Sequence, residues 1–336
     1  MNRVEEKKKL RKIVESFPNV SVMVLGDIVA DEFVSGEIAR VSREAPVLIL
    51  KHRESHIVPG GGGNAILNLA DLKVNVLPVG VVGDDPAGKA LLQIFKSRKI
   101  PTSGIAKLKN HLTTTKTRIL AYQKNASRQQ VVRIDREPEP LPETHPILLE
   151  LIQSAREYAP AADAMLVSDY GYGAATPRLL TFIRAKGALN GTPITLDSRY
   201  RMKQYTGVSA ATPNLPEVEA ATGMRIDGNV ALVKAGQKLM EEMRLESLVV
   251  TRGSEGMVAF EGKKKPLEIP IFGSDEVADV TGAGDTVIAT FTAALAAGAD
   301  AETAAIIANL AGGIVVMKRG TATVSNDELM GAIENY

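Results

Sequence analysis

The sequence predicts an α/β fold: a mainly parallel sheet covered by helices on both faces, with a small antiparallel β-sheet standing off it as a lid. Three observations predict it. Short β-rich runs alternate with amphipathic helical stretches along most of the chain. Two stretches, 33–58 and 114–135, are rich in alternating strand-like residues but have no crossover helix of their own. A hydrophobic content of 45% over 336 residues suffices for one large α/β domain, or one plus a small accessory element, and a single domain over residues 1–336 is expected.

Taken in order, Leu10, Ile13, Val14 and Phe17 recur at helical spacing around Lys7, Lys8 and Lys9. The basic run therefore reads as the solvated face of a docked helix closed by Pro18, and not as a nucleic-acid or membrane arm. Strands are expected at 20–25, 75–82, 165–168, 193–196 and 247–251, with helices at 65–70, 89–97, 177–186 and 230–243. The first strand ends at Gly26-Asp27. The Pro/Glu stretch 137–143 reads equally as a linker or as a connection from lid to core.

Two glycine-rich segments carry the chemistry. In 279–291 a Gly/Ala turn runs straight into an apolar helical pattern, with Asp285 in the first turn. The amides of Gly282, Ala283, Gly284 and Asp285, added to the helix dipole, suit the charge that grows on a phosphate in flight, with Asp285 beside them as a base. The same residues also suit an ordinary helix cap. The second segment, Pro59-Gly60-Gly61-Gly62-Gly63-Asn64, opens a helix with four glycines that are entropically costly, so something must approach that backbone closely. A sugar or a nucleotide is the candidate, and Asn64 suits hydroxyl recognition. A nicotinamide loop, with Asp84 and Asp85 downstream, is disfavoured because no G-x-G-x-x-G follows the first strand.

Composition narrows the substrate. A formal charge of +1 and an aromatic content of 4% argue against a nucleic-acid surface, leaving a small molecule. Cysteine is absent, which excludes disulfides, a thiol nucleophile and a zinc cluster, and His52, His56, His111 and His145 are expected on the surface. No segment is apolar for long enough to span a bilayer and no signal-peptide core opens the chain, so a cytoplasmic protein is expected.

The stretch DVTGAGDTVIATF together with PGGGGNAILNLADL resembles the paired signatures of the ribokinase-like, or PfkB-type, carbohydrate kinases, and the resemblance extends over nearly the whole chain. It implies a ribokinase-like fold, ATP and Mg2+, with Asp285 as base and Gly282, Ala283 and Gly284 as anion hole. Asp31, Gly60, Gly61 and Asn64 would fix the sugar hydroxyls. Thr212-Pro-Asn214-Leu-Pro-Glu217 is similar to the family's Asn-x-x-Glu element, in which Glu217 acts on magnesium and phosphates through water. Thr251, Arg252, Gly253 and Gly256 resemble its nucleotide-binding strand and turn, and Asn309 to Gly313 with Gly320 to Ser325 its adenine-side wall. A monovalent cation near Asp279 and Thr281 occurs in some relatives, against which stands a plain role for both residues in the turn.

Within that superfamily, Gly26 to Asp31, Val41 to Val47, Ser127 to Asp135, Leu166 to Tyr170 and Lys318 to Ser325 are similar to the bacterial D-glycero-β-D-manno-heptose-7-phosphate kinases. The resemblance implies phosphorylation of an anomeric hydroxyl to give heptose 1,7-bisphosphate. A homodimer formed through the lid is expected. Two positions depart: Tyr172 stands where a lysine is expected, and Arg43 where a proline is usual. The first removes a phosphate-facing cation, for which Arg43 or a lid arginine is a candidate replacement. Arg118, Arg128 and Arg133 lie in the lid stretches, where a guanidinium could grip a phosphate through two hydrogen bonds. Arg128 and Arg133 would face opposite ways in an unbulged strand, being an odd number of residues apart. A kinase for another sugar or sugar phosphate, and a non-catalytic sugar-binding regulator, remain alternatives.

Overall fold

The computed structural model of the chain describes residues 3–123, 128–185, 189, 191–273 and 279–336. Expectations touching residues 124–127 of the second lid stretch, Ser127 among them, and Lys186 lie outside the described residues. Helix α1 (Arg3–Glu15) leads into β1 (Ser21–Val41), which folds back on β2 (Leu48–Gly61). Then come α2 (Gly62–Asp71), β3 (Asn75–Gly83), α3 (Pro86–Ser97), β4 (Ile105–Leu108), β5 (Thr115–Tyr122) and β6 (Gln129–Arg136). The middle of the chain supplies α4 (Ile147–Tyr158), β7 (Ala164–Asp169), α5 (Pro177–Arg184), β8 (Ile194–Ser198), β9 (Ala210–Ala211), α6 (Leu215–Thr222) and α7 (Asn229–Met243). The C-terminal part supplies β10 (Ser247–Thr251), β11 (Met257–Glu261), β12 (Leu267–Ile269), α8 (Ala283–Ala296), α9 (Ala301–Val316) and α10 (Asn326–Asn335).

The main sheet runs β12-β11-β10-β9-β8-β7-β1-β3-β4. It is parallel from β4 to β10, and β11 and β12 add an antiparallel edge that the sequence reading did not foresee. Burial on both faces explains its unbroken apolar strands. Along β1, Val22 and Val24 enter one core, with Ile66 of α2, Phe291 of α8 and Leu310 of α9. Their neighbours Met23 and Leu25 enter the other, with Leu151 of α4, Leu180 of α5 and Leu239 of α7. The period of two thus feeds two helical layers from one strand. On α1, Lys9 pairs with Asp300 at 2.6 Å and Lys7 donates to the carbonyl of Glu334 at 2.8 Å, so the basic run helps dock the helix.

The lid differs from expectation in two ways. Strand β1 does not end at Gly26-Asp27: it continues through Asp31 and Phe33 to Val41, and β2 returns as one strand to Gly61. Gly26 carries no turn; its missing Cβ lets the Cα of Gly62 pack where a side chain would stand, 3.0 Å from an added Cβ. The lid order is β2-β1-β5-β6, and its central pair, β1 with β5, is parallel. The lid is therefore a mixed sheet, because β5 enters from the core beside the outgoing β1. The stretch 137–143 is a lid-to-core connection, with Leu141 buried and donating its N–H to the Tyr172 carbonyl at 2.9 Å.

Candidate active site

Strand β1 lies between β3 and β7, and the chain leaves these neighbours toward opposite edges of the sheet. Such a reversal opens a crevice at the carboxyl ends of the strands, where open α/β sheets hold ligands. Asp27 and Asp31 on β1, Asp169 at the end of β7 with Tyr170 just after it, and Asp197 with Arg199 at the end of β8 converge there, facing the start of α8.

Asp285 sits in the first turn of α8, 4% exposed. One carboxylate oxygen, Oδ2, accepts from Asn64 Nδ2 at 3.0 Å, and Oδ1 accepts from the Tyr170 hydroxyl at 2.8 Å. Burial pushes its pKa up to about 7; these two hydrogen bonds and Lys116 pull it down, and Asp31 pushes it up. A carboxylate poised there suits general base catalysis near neutral pH. Gly282 precedes the helix with φ +78°, and the first amides of a helix have no partner within it. One of the four expected donors is committed to closing this turn, since the Ala283 N–H donates to the Val280 carbonyl at 3.2 Å. Asp279 closes the same turn, accepting from Thr281 N at 2.9 Å and Gly320 N at 3.0 Å, so both residues have the structural role weighed for them.

Two cavities meet at Gly284, one of about 170 Å³ and one of about 220 Å³. The first is apolar, walled by Met257, Ile271, Val280, Val287 and Val316, with Thr251, Gly253, Gly256 and Asn309 at its margin. Asn309 donates to the Pro270 carbonyl at 2.8 Å, which leaves its amide oxygen for a ligand. Arg252 does not line this cavity: its guanidinium turns to Asn229 at 2.9 Å and the Glu255 carbonyl at 3.0 Å, bracing the 253–256 turn. Gly320 to Ser325 also departs from the adenine-side expectation. Thr321 reaches Asp31 of β1 at 3.2 Å and Val324 N donates to Asn68 of α2 at 3.3 Å, so this run packs against α2 and the floor of the lid.

The second cavity is polar, lined by Asp169, Tyr170, Asp197, Arg199, Thr212, Asn214, Glu217 and Thr251. Asn214 and Glu217 form a reciprocal capping box at the start of α6, which explains their spacing and fixes both at the rim. Burial raises the Glu217 pKa; desolvation, then Asp285, Glu217 and Asp169, raise that of Asp197 well above the ordinary carboxylate range. Arg199 makes no ion pair with the described residues and lies over the Tyr200 ring at 5.6 Å. Among the described residues no cluster of three or more histidine or acidic side chains is close enough to hold a metal unaided.

Toward the lid, several expectations are corrected. Asn64 is 0% exposed and spends its amide on Gly282 O, Asp285 and Asn68, so it holds the base and has no donor left for a sugar hydroxyl. The glycine run is explained by the protein's own atoms. A Cβ on Gly60 would stand 2.5 Å from Asp31 Oδ2, one on Gly62 3.0 Å from the Gly26 Cα, and Gly61 has φ +55°. Asp85 caps α3 and binds Thr113, a structural role.

Arg118 Nη1 bonds Asp31 Oδ1 at 2.5 Å and sits over the Phe33 ring, in the site. Arg128 and Arg133 do not face opposite ways. The β5–β6 register slips at Ile119/Leu120, and this bulge leaves Arg133 opposite Arg118 and Arg128 over Tyr122, both on the Arg118 side of the lid. Both are exposed and paired, Arg128 with Glu54 and Arg133 with Asp135. Arg43 lies on the exposed turn between β1 and β2, about 30 Å along the strand from Asp31, too far to serve this site within one chain. Lys116 reaches in beside Arg118; its side chain is 12% exposed and 4.0 Å from Glu137, with Tyr172 beneath it.

Tyr170, Asp197, Arg199 and Lys116 were not singled out from sequence as site residues. Tyr170 and Arg199 directly follow parallel strands and Asp197 lies at the end of one, and the rule that ligands lie beyond the carboxyl ends of such strands was the available signal. Lys116 lies two residues before Arg118, so strand alternation could have put both on one face.

A profile of the pfkB family of carbohydrate kinases matches residues 21–328. Bifunctional protein HldE of Pelobacter propionicus is 36% identical over 333 residues, 98% of this chain and 66% of that protein. The protein of the same name from Mesorhizobium japonicum is 37% identical over 326 residues, 96% of this chain and 64% of its own length. The chain spans just under two thirds of the length of these relatives. The structure of Arabidopsis thaliana ribokinase complexed with ribose and ATP superposes with a TM-score of 0.69 at 19% identity, over 94% of this chain and 98% of that one. Escherichia coli phosphofructokinase-2 in complex with fructose-6-phosphate gives 0.74 at 16% identity over the same shares. The ribokinase-like fold expected from sequence is the fold observed.

Proposed function

The chain belongs to the pfkB family of carbohydrate kinases, and from that premise we propose that it transfers the γ-phosphoryl group of ATP to the anomeric hydroxyl of D-glycero-β-D-manno-heptose 7-phosphate. The product is heptose 1,7-bisphosphate, an intermediate toward ADP-heptose and lipopolysaccharide core, made in the cytoplasm where ATP is available. The observation that carries the chemistry is Asp285: a buried carboxylate with a pKa of about 7, gripped at both oxygens, at the helix start where two cavities meet.

In this reading the apolar cavity takes the adenine, with Asn309 at its edge, and the phosphates run past Gly284 into the polar cavity. Arg199 meets their charge. Asp197 and Glu217 fit magnesium through water, since desolvation raises both pKa values, and Asp285, Glu217 and Asp169 raise that of Asp197 further, so both carboxylates gain from a nearby cation. When bound, the ion would neutralise charge on the transferring group. Asp285 removes the proton of the attacking hydroxyl, and the free amides at the start of α8 hold the phosphoryl oxygens. The acceptor lies beneath the lid against Asp31. Among the described residues strand β6 pairs only with β5, and it exposes Val131, Val132 and Ile134, which supports a homodimer through the lid.

Tyr172 in place of a lysine favours one second reading, a pfkB-type kinase for a different sugar phosphate. A coupled ADP-release assay across heptose 7-phosphate, the free heptose, fructose 6-phosphate and ribose separates the two. Preference for heptose 7-phosphate by at least an order of magnitude in kcat/KM is expected; equal or greater activity with another acceptor overturns the heptose assignment.

A further inference from the structure

We infer that Tyr170 is a positioning residue for Asp285, and that Asp27 is the buried anchor that aims it. The inference rests on the reading of Asp285 as the base. Tyr170 and Asn64 each supply one donor to one oxygen of Asp285, which fixes the plane of the carboxylate. Asn64 is locked in a helix, but Tyr170 stands in the loop that follows β7, where its aim must be imposed from outside.

Asp27 imposes it. This side chain is 1% exposed and lines neither cavity of the site. Its Oδ2 accepts the backbone N–H groups of Tyr170 at 2.9 Å and Tyr172 at 3.0 Å, and its Oδ1 those of Ala174 at 2.8 Å and Ala175 at 3.3 Å. Four amides of one loop thus converge on one carboxylate. Asp169 adds a second hold, accepting Gly171 N at 3.0 Å while itself paired with Arg201 at 2.6 Å. Gly171 and Gly173, with φ of +87° and +97°, give the winding this wrap needs. The loop is clamped from beneath, so the Tyr170 hydroxyl meets Asp285 without searching.

The hydroxyl has two consequences for the base. It stabilises the anion against burial, and it occupies one face of the carboxylate so that the remaining lone pairs face the acceptor. Other groups act on this pair: Asp31, Lys116 and Asn64 on Asp285, and Asp197 and Arg199 on Tyr170.

The test uses Tyr170→Phe and Asp27→Asn in the full chain. Tyr170→Phe removes only the hydroxyl. Its kcat should fall roughly tenfold to a hundredfold with KM for the acceptor little changed, and the acid limb of kcat should move up by about one pH unit, the scale of one hydrogen bond to a charged group. Asp27→Asn, which offers one acceptor oxygen to four amides, should move the limb the same way. The carboxyl carbon resonance of Asp285, assigned by its loss in Asp285→Asn, can be titrated without any substrate. Its midpoint should rise in Tyr170→Phe. An unchanged midpoint overturns the inference whatever the substrate proves to be. A raised midpoint in a protein that phosphorylates no sugar upholds the positioning of Asp285 and sinks only the kinase reading.

Discussion

The carboxylate of Asp31 lies so close to the backbone of Gly60 that a Cβ there would stand 2.5 Å from Oδ2. Asp31 is also held by Arg118 at 2.5 Å and Thr321 at 3.2 Å, so three elements far apart in sequence fix one side chain at the floor of the lid. Gly60→Ala should therefore push Asp31 out of place while leaving the nucleotide cavity intact. Acceptor binding measured by calorimetry should weaken roughly tenfold to a hundredfold, the scale of a lost charge-assisted contact. Unchanged acceptor affinity would mean that Asp31 does not bind the acceptor.

That contact also shows what the sequence could convey. A run of glycines signals that something must come near, but not whether it is a ligand or the protein's own carboxylate. Asn64 misled for the same reason: its amide chemistry was readable, its burial against Asp285 was not. The helix start carrying Asp285 was legible because an apolar helical pattern behind a Gly/Ala turn admits few geometries. The continuity of β1 was hidden because Gly26-Asp27 reads as a turn, whereas Gly26 serves the approach of α2 and Asp27 the loop after β7. The bulge in the lid was illegible in principle, since one slipped residue leaves no mark in an alternating pattern and reverses the face of everything beyond it.

Asp285→Asn keeps the size of the side chain and removes its basicity. Turnover should fall by about two to four orders of magnitude with acceptor affinity little changed. The parent enzyme should lose kcat as pH drops below about 7, where the carboxyl takes up its proton. The variant's residual rate should lack that limb. Stopped-flow or coupled kinetics across pH 5 to 9 decide it, and near-normal turnover in the variant removes Asp285 from the mechanism.

The same residue should cost stability. Its pKa is about 7 in the fold against an ordinary 3.8, so between those values the native state binds the proton more tightly than the unfolded chain does. Its contribution is fully favourable below the lower value and is lost as pH rises through the upper one. Asp285→Asn, which has no charge to desolvate, should match the parent near pH 4 and exceed it at pH 8 by on the order of 2 to 4 kcal/mol. Denaturant midpoints at the two pH values measure this. A variant less stable than the parent at pH 8 would show that the charged carboxylate is well solvated.

Gly284 faces both cavities, and a Cβ built on it meets nothing within 4 Å. Unlike Gly282, whose φ of +78° resists a side chain, it can take valine without backbone strain. Gly284→Val should fold normally and still bind the acceptor, yet lose at least a hundredfold in kcat because the branched side chain fills the path of the phosphates. If kcat is unchanged, the turn before α8 is a helix cap and nothing more.

The remaining prediction concerns the distal phosphate that separates a heptose-phosphate kinase from an ordinary sugar kinase. Arg118 is held by Asp31 and sits over Phe33, whereas Lys116 on the same strand face lies over the Tyr172 ring and, among the described residues, has one ion-pair partner, Glu137 at 4.0 Å, which already accepts from Tyr172 at 2.5 Å. Burial, and then Arg199, lowers the Lys116 pKa, so its ammonium gains most from an incoming anion. Lys116→Met should raise KM for the 7-phosphorylated heptose roughly tenfold to a hundredfold and leave KM for the unphosphorylated heptose nearly unchanged. Arg118→Met should impair both acceptors alike, because it frees Asp31 from its place. Arg128→Met and Arg133→Met, which break exposed pairs only, should stay within about twofold of the parent. Equal losses on the two acceptors in Lys116→Met would mean that this lysine does not read the phosphate, and the assignment would retreat to a general sugar kinase.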